Sequence, residues 1–116
     1  MRPLGWHWMA QAEGCRAAWL DDPERVRAYL ADLALRLELT AVGAPSVERL
    51  GPGRVAGVVL LAQSHASVHT QVDGDRLFAD LFSCSPFEPT LAAEVLRDWF
   101  APTHLQTSTV ERGSAP

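Results

Sequence analysis

The segment Val55–Ser85 constrains the fold more than any other part of this chain. It opens with an apolar run, residues 57–62, that is long enough for one fully buried strand. Residues 65–69 then alternate between polar and apolar side chains, which is typical of a half-buried strand. A turn signal at Asp73-Gly74 precedes a third apolar segment, residues 77–82. The pattern predicts three consecutive strands of one sheet.

Side chains that could take part in catalysis are concentrated in this segment. His65, Ser67 and His69 would share one face of the second strand, because successive side chains of a strand point to opposite faces. Ser64 begins that strand, and Cys84 follows the third. We therefore expect the neighbouring strands to bring a serine, two histidines and a thiol towards a common region.

Length and composition predict a single domain covering residues 1–116. Apolar residues make up 47% and charged residues 21%, as in ordinary soluble domains. A net charge of −4 without an arginine run argues against nucleic acid as a partner.

No apolar run approaches the ~20 residues that span a membrane, and we see no signal-peptide core. Cys15 and Cys84 suggest no disulfide framework, so we expect a cytoplasmic protein with reduced thiols.

The remaining chain completes an α+β pattern. Residues 4–13 predict an aromatic-rich strand, and Asp22-Pro23 marks the start of an amphipathic helix over residues 23–38. A second helix should start near Pro89, and residues 104–110 should form the last strand. Shorter extended pieces are expected at residues 40–42 and 47–50. The order predicts a two-layer α/β sandwich with a mostly antiparallel sheet and two helices on one face.

The sheet face away from the helices is expected to carry Trp6, Trp8 or their neighbours. That face would be either solvated or packed against a second copy of the chain. The polar tail, Arg112–Pro116, is expected to be loose.

Two short motifs in the segment Val55–Ser85 resemble those of a known family. The motifs are Gln63–Thr70, which reads QSHASVHT, and Asp80–Ser85, which reads DLFSCS. They are similar to the Glu-Ser-His-x-(Ser/Thr)-x-His-Thr and Asp-x-Phe-(Thr/Ser)-Cys-Gly motifs of the prokaryotic S-adenosylmethionine decarboxylase proenzymes. The similarity extends to Leu4-Gly5-x-His7, Cys15 and Glu111–Gly113, and so covers nearly the whole chain.

The resemblance implies a pyruvoyl-dependent decarboxylase of polyamine biosynthesis that cleaves itself. The Ser64 hydroxyl would attack the Gln63 carbonyl, giving a β chain of residues 1–63 and an α chain of residues 64–116. The α chain would begin with a covalent pyruvoyl group, whose carbonyl forms a Schiff base with the substrate amine and accepts electrons as carbon dioxide leaves. Pyridoxal phosphate would need a lysine, and this chain has none. Replacement of lysine by arginine in a GC-rich genome would explain the same absence.

The resemblance also implies roles for individual residues. His69 corresponds to a histidine that assists processing by proton transfer, and Cys84 to a cysteine that protonates the carbanion. Asp73 stands where the family has a glutamate that binds the ribose hydroxyls of the substrate. His65 and Ser67 either line the substrate site or hold the sheet together. The family's enzymes are homodimers. The roles of these residues in the family account for them without a metal ion.

Departures from the family are concentrated at the site. Gln63 replaces the glutamate before the serine, Ala56 replaces a serine thought to hold the processing ester, and Ser85 replaces a glycine. Leu50 stands near the position where the family has an aromatic residue that stacks on adenine. At position 73 the family's glutamate is replaced by the shorter aspartate, Asp73. Three hypotheses remain open: an S-adenosylmethionine decarboxylase, a homologue decarboxylating L-ornithine or L-arginine, and an unprocessed binding or partner subunit.

Overall fold

The computed structural model describes residues 2–114, which form an antiparallel sheet covered on one face by helices. The elements of these residues follow in the order β1 (Gly5–Glu13), α1 (Ala17–Leu20), α2 (Pro23–Arg36), β2 (Ser46–Gly51), β3 (Arg54–Leu61), β4 (Ser64–Gln71), β5 (Arg76–Ser83), α3 (Pro89–Phe100) and β6 (His104–Arg112). The predicted strands and both predicted helices are present. The short helix α1 is an addition, and the extended piece at residues 40–42 is reduced to an isolated bridge between Ala41 and Leu61.

The strands are arranged in the order β2-β3-β4-β5-β1-β6, and every neighbouring pair is antiparallel. Helix α2 packs closely on the sheet because Gly57 has no side chain. A Cβ atom there would lie 2.9 Å from Cδ1 of Leu30 and 3.1 Å from Cγ1 of Val26. The predicted two-layer α+β architecture is confirmed. No helix within residues 2–114 is long and apolar enough to cross a membrane.

Local side-chain chemistry sets the bounds of helix α2. The Asp22 side chain accepts the N–H of Arg25 at 3.1 Å, and Pro23 occupies the first helical position. The helix ends at Arg36, two residues before the predicted end. Glu38 has a positive φ of 58°, which a right-handed helix cannot contain.

The hydrophobic core lies between the sheet and the helices, and it includes the fully buried Trp8. Because side chains alternate along β1, Trp8 faces the helices while His7 and Met9 face away. Of the alternatives expected for the outer face, Trp8 is therefore ruled out. The neighbouring residues of β1 occupy that position instead.

We call the sheet surface away from the helices the open face. The strand registers put these residues on it: His7 and Met9 of β1, Ala56, Val58 and Leu60 of β3, His65, Ser67 and His69 of β4, Phe78, Asp80 and Phe82 of β5, and Ser108 and Val110 of β6. Several of its apolar side chains are exposed, including Leu60 at 60% and Val110 at 46%. Exposed apolar surface of this kind is typical of an interface.

The C-terminal end of the chain is more ordered than expected. Arg112 belongs to β6 and pairs with Gly5 of β1, so the predicted loose tail cannot begin at Arg112. Residues 115–116 of that predicted tail lie outside the described residues.

Candidate active site

The Gln63–Ser64 bond lies at the corner of the β3–β4 hairpin. Strand β3 ends at Leu61 and β4 begins at Ser64, so Ala62 and Gln63 alone form the turn. The favoured two-residue hairpin turns contain residues with positive φ, yet neither Ala62 nor Gln63 has one. The positive φ falls instead on Ser64, at 155°, where residues with a side chain are rarely found. The backbone is strained at the predicted cleavage point.

Thr40 holds this corner from the side. Its N–H donates to Oε1 of Gln63 at 3.1 Å, and its carbonyl oxygen accepts the N–H of Ala62 at 2.8 Å. A carboxylate oxygen could accept the first of these bonds equally well. Gln63 therefore keeps a contact that the family's glutamate could also make. The sequence analysis missed this role of Thr40, because the contact joins segments that are 23 residues apart.

Cys84 lies directly beside the Gln63–Ser64 bond. Its backbone N–H donates to the Gln63 carbonyl oxygen at 3.0 Å, and the preceding residue, Ser83, pairs with Ser64 across the β4–β5 ladder. The Cys84 side chain is exposed, so the thiol is accessible. The structure thus brings the predicted serine and the predicted thiol residue together.

An aromatic cluster on the open face flanks this corner. His65 follows Ser64, and its ring centroid is 6.2 Å from that of Phe82. The Phe82 ring also meets the His7 ring edge to face, with centroids 6.3 Å apart. His7 Nε2 in turn lies 3.1 Å from Oδ1 of Asp80. The contact with Asp80 gives His7 a fixed orientation.

His69 lies at the opposite end of β4, where it pairs with Ala56 on one side and Phe78 on the other. Five residue steps at about 3.3 Å each separate its Cα from that of Ser64 by roughly 16 Å. Ser67 lies between them on the open face. The expectation that one chain gathers the serine, both histidines and the thiol in one region is therefore wrong for His69. Ala56 also leaves no hydroxyl group beside the imidazole.

Asp73 lies at the same end of the sheet as His69, in the turn between β4 and β5. It is exposed and borders a shallow cavity of about 570 Å³. The cavity is lined by Asp21, Pro52, Gly53, Arg54, Gln71, Val72 and Asp73. Within a single chain, Asp73 is therefore remote from Ser64, as His69 is.

Two other motif residues serve the core. The buried Thr70 hydroxyl donates to the Leu20 carbonyl oxygen at 2.7 Å and accepts the Val55 N–H at 3.0 Å. Cys15 is 4% exposed, and burial, assisted by the charge of Asp75, raises the pKa of its thiol to about 11. Cys15 is therefore a core residue that stays protonated at neutral pH. Among residues 2–114, no group of three His, Cys, Asp or Glu side chains is arranged to hold a metal ion.

The antiparallel sheet, its helical layer and the Gln63–Ser64 corner beside Cys84 agree with the class of protein that the family match gives, that of the pyruvoyl-dependent carboxy-lyases. The family model described as S-adenosylmethionine decarboxylase matches residues 6–113, and the chain belongs to this family.

Individual relatives agree with this assignment over nearly the full chain. The S-adenosylmethionine decarboxylase proenzyme of Geobacillus sp. (strain WCH70) is 28% identical over 118 residues, covering 100% of this chain and 93% of the relative. The proenzyme of Pyrococcus furiosus is 28% identical, covering 97% of this chain and 81% of the relative. The crystal structure of the adenosylmethionine decarboxylase from Aquifex aeolicus matches with a TM-score of 0.90 at 27% identity, covering 100% and 96% of the two chains.

Proposed function

We propose that this chain is a cytoplasmic, self-cleaving S-adenosylmethionine decarboxylase of polyamine biosynthesis that works as a homodimer. The observation that carries the proposal is the hydrogen bond from the Cys84 N–H to the Gln63 carbonyl oxygen, next to the strained Ser64. The substrate is taken from the printed names of the relatives, which are S-adenosylmethionine decarboxylase proenzymes.

Cleavage starts at the hairpin corner. The Ser64 hydroxyl oxygen bonds to the Gln63 carbonyl carbon, and the C–N bond breaks, which converts the amide into an ester. Negative charge builds on the Gln63 carbonyl oxygen during the attack, so the hydrogen bond from Cys84 strengthens there. Elimination then frees the Gln63 carboxyl group and leaves dehydroalanine at position 64. Water displaces its nitrogen as ammonia, and the new chain begins with a pyruvoyl group.

The residues around position 64 fit such a group. Ser64 is half-buried, while the exposed Cys84 is fixed to the neighbouring carbonyl by its backbone. The pyruvoyl group supplies a carbonyl that captures the substrate amine and draws electrons from the bond to the departing carboxylate. The Cys84 thiol holds the proton that replaces carbon dioxide.

His69 serves the site of a partner copy in this proposal. About 16 Å of extended strand separates it from Ser64 of its own chain, far beyond the roughly 3 Å that proton transfer requires. A two-fold interface puts each surface patch against its counterpart, so the His69 end of one copy can meet the Ser64 end of the other. Asp73, at the same end as His69, would then bind the substrate from the partner side.

The open face is the surface through which the two copies would meet. It carries the exposed apolar side chains Leu60, Phe78 and Val110, and it also carries His69. Packing two such faces removes apolar area from water at about 25 cal/mol per Å². His65 and Ser67, which lie on this face near Ser64, would line the enclosed substrate site.

Release of carbon dioxide from carboxyl-labelled substrates tests the proposal. The protein is expected to release label from S-adenosylmethionine and not from L-ornithine or L-arginine, and the Ser64→Ala variant should release none. Label from ornithine or arginine alone would contradict the substrate assignment. No release from any of the three would contradict the enzymatic proposal.

A further inference from the structure

Ser83 closes the turn that carries Cys84. Its hydroxyl donates to the carbonyl oxygen of Ser85 at 2.7 Å and accepts the N–H of Ser85 at 3.0 Å. Ser83 is fully buried, and these two bonds satisfy its hydroxyl group. Cys84 lies between these two hydrogen-bonded residues in the turn.

Cys84 is thus tethered on both sides. On its N-terminal side the β4–β5 ladder pairs Ser83 with Ser64, and its own N–H is bound to the Gln63 carbonyl. On its C-terminal side the Ser83 hydroxyl holds Ser85. The chain then runs through residues 86–88 without regular structure until α3 begins. Loss of the Ser83 hydroxyl would remove this C-terminal tether and leave Cys84 joined directly to the irregular segment.

We propose that Ser83 is a positioning residue, whose hydroxyl fixes the Cys84 thiol beside position 64. The effect on turnover rests on the proposed function, whereas the position of the thiol can be measured without any turnover. The role also explains why a polar side chain occupies a fully buried position at the end of β5.

Alkylation of Cys84 by iodoacetamide at pH 8 measures the thiol directly. Cys15 does not interfere, because it is buried and its thiol pKa is raised to about 11. Ser83→Val and Ser83→Thr form a matched pair, since they fill the same volume and differ in the hydroxyl. Ser85→Ala is the control within the same turn, because the Ser83 hydroxyl hydrogen-bonds with the backbone of Ser85, which this substitution keeps. Ser83→Ala completes the set.

The expected result is an alkylation rate at least threefold faster in Ser83→Ala and Ser83→Val than in the wild type. Ser83→Thr and Ser85→Ala should stay within about 1.5-fold of the wild type. In the cleaved protein, kcat should fall about tenfold in Ser83→Val, with KM within twofold and cleavage unaffected. Equal alkylation rates for Ser83→Val and Ser83→Thr would overturn the proposal, even if Ser83→Ala does not fold. An uncleaved wild-type chain would contradict the proposed function but leave the alkylation comparison decisive for Ser83.

Discussion

Ser64 and His69 lie at opposite ends of the same extended strand, five residues apart. At about 3.3 Å per residue the separation is roughly 16 Å, which no side-chain rotation can bridge. If His69 assists cleavage at Ser64, the His69 of one copy of the chain must act at the Ser64 of another copy.

Mixed dimers test whether His69 acts across the interface between two copies. A Ser64→Ala chain cannot be cut but can offer its His69, and a His69→Ala chain keeps its own Ser64. Each variant alone should remain largely intact. Co-expressed and purified through two different tags, the mixed dimer should show cleavage of the His69→Ala chain, detected by mass. Cleavage of that chain to the same slow extent alone and in the mixture would show that His69 does not act across the interface.

The fold was largely predictable from the sequence because its strands and helices carry strong local patterns. Residues 65–69 alternate, and Asp22-Pro23 caps a helix in the expected way. Helix α1 was missed because its four residues are too few for a periodic pattern, and it depends on tertiary contacts such as the bond from Thr70 to Leu20. The burial of Trp8 was missed because both faces of β1 carry large side chains.

The candidate site was predictable only in part. The motifs pointed to Ser64 and Cys84, and the ladder between β4 and β5 does bring these residues together. The remoteness of His69 could have been inferred, because five residues of one strand span a fixed length. The contacts of Thr40 and Ser83 could not, because each depends on how the backbone turns at a strand end.

Replacing the thiol should separate cleavage from turnover. In Cys84→Ala the backbone N–H that binds the Gln63 carbonyl is retained, so cleavage should proceed. Loss of the proton donor should lower kcat by about 10²-fold or more, within the range of general-acid catalysis. Mass spectrometry and carbon dioxide release measure the two steps separately. A variant that is cut and fully active would show that Cys84 is not the proton donor.

Thr70 should matter for stability rather than for catalysis. Thr70→Val leaves the Leu20 carbonyl and the Val55 N–H without their buried partner, which should lower the free energy of unfolding by about 1–3 kcal/mol. Thr70→Ser keeps the hydroxyl and should lose less. Urea denaturation measures both variants, and equal stabilities would contradict the assigned role.

Cys15 should make stability depend on pH in the alkaline range. Burial raises its pKa to about 11, so the folded state holds the proton more tightly than the unfolded state does. The stability contribution of this thiol is therefore complete below the unfolded pKa of roughly 8.5 and is lost as pH rises towards 11. Urea denaturation between pH 8 and 11 should show a steeper loss for the wild type than for Cys15→Ala. Parallel curves would mean that the buried thiol does not titrate as described.

The mass of the purified protein under denaturing conditions tests the central claim most directly. The account predicts two fragments, residues 1–63 and residues 64–116, with the second bearing a pyruvoyl group in place of its N-terminal serine. The Ser64→Ala variant should give a single chain. A wild-type protein that remains one chain of 116 residues, with an ordinary serine at position 64, would contradict the account.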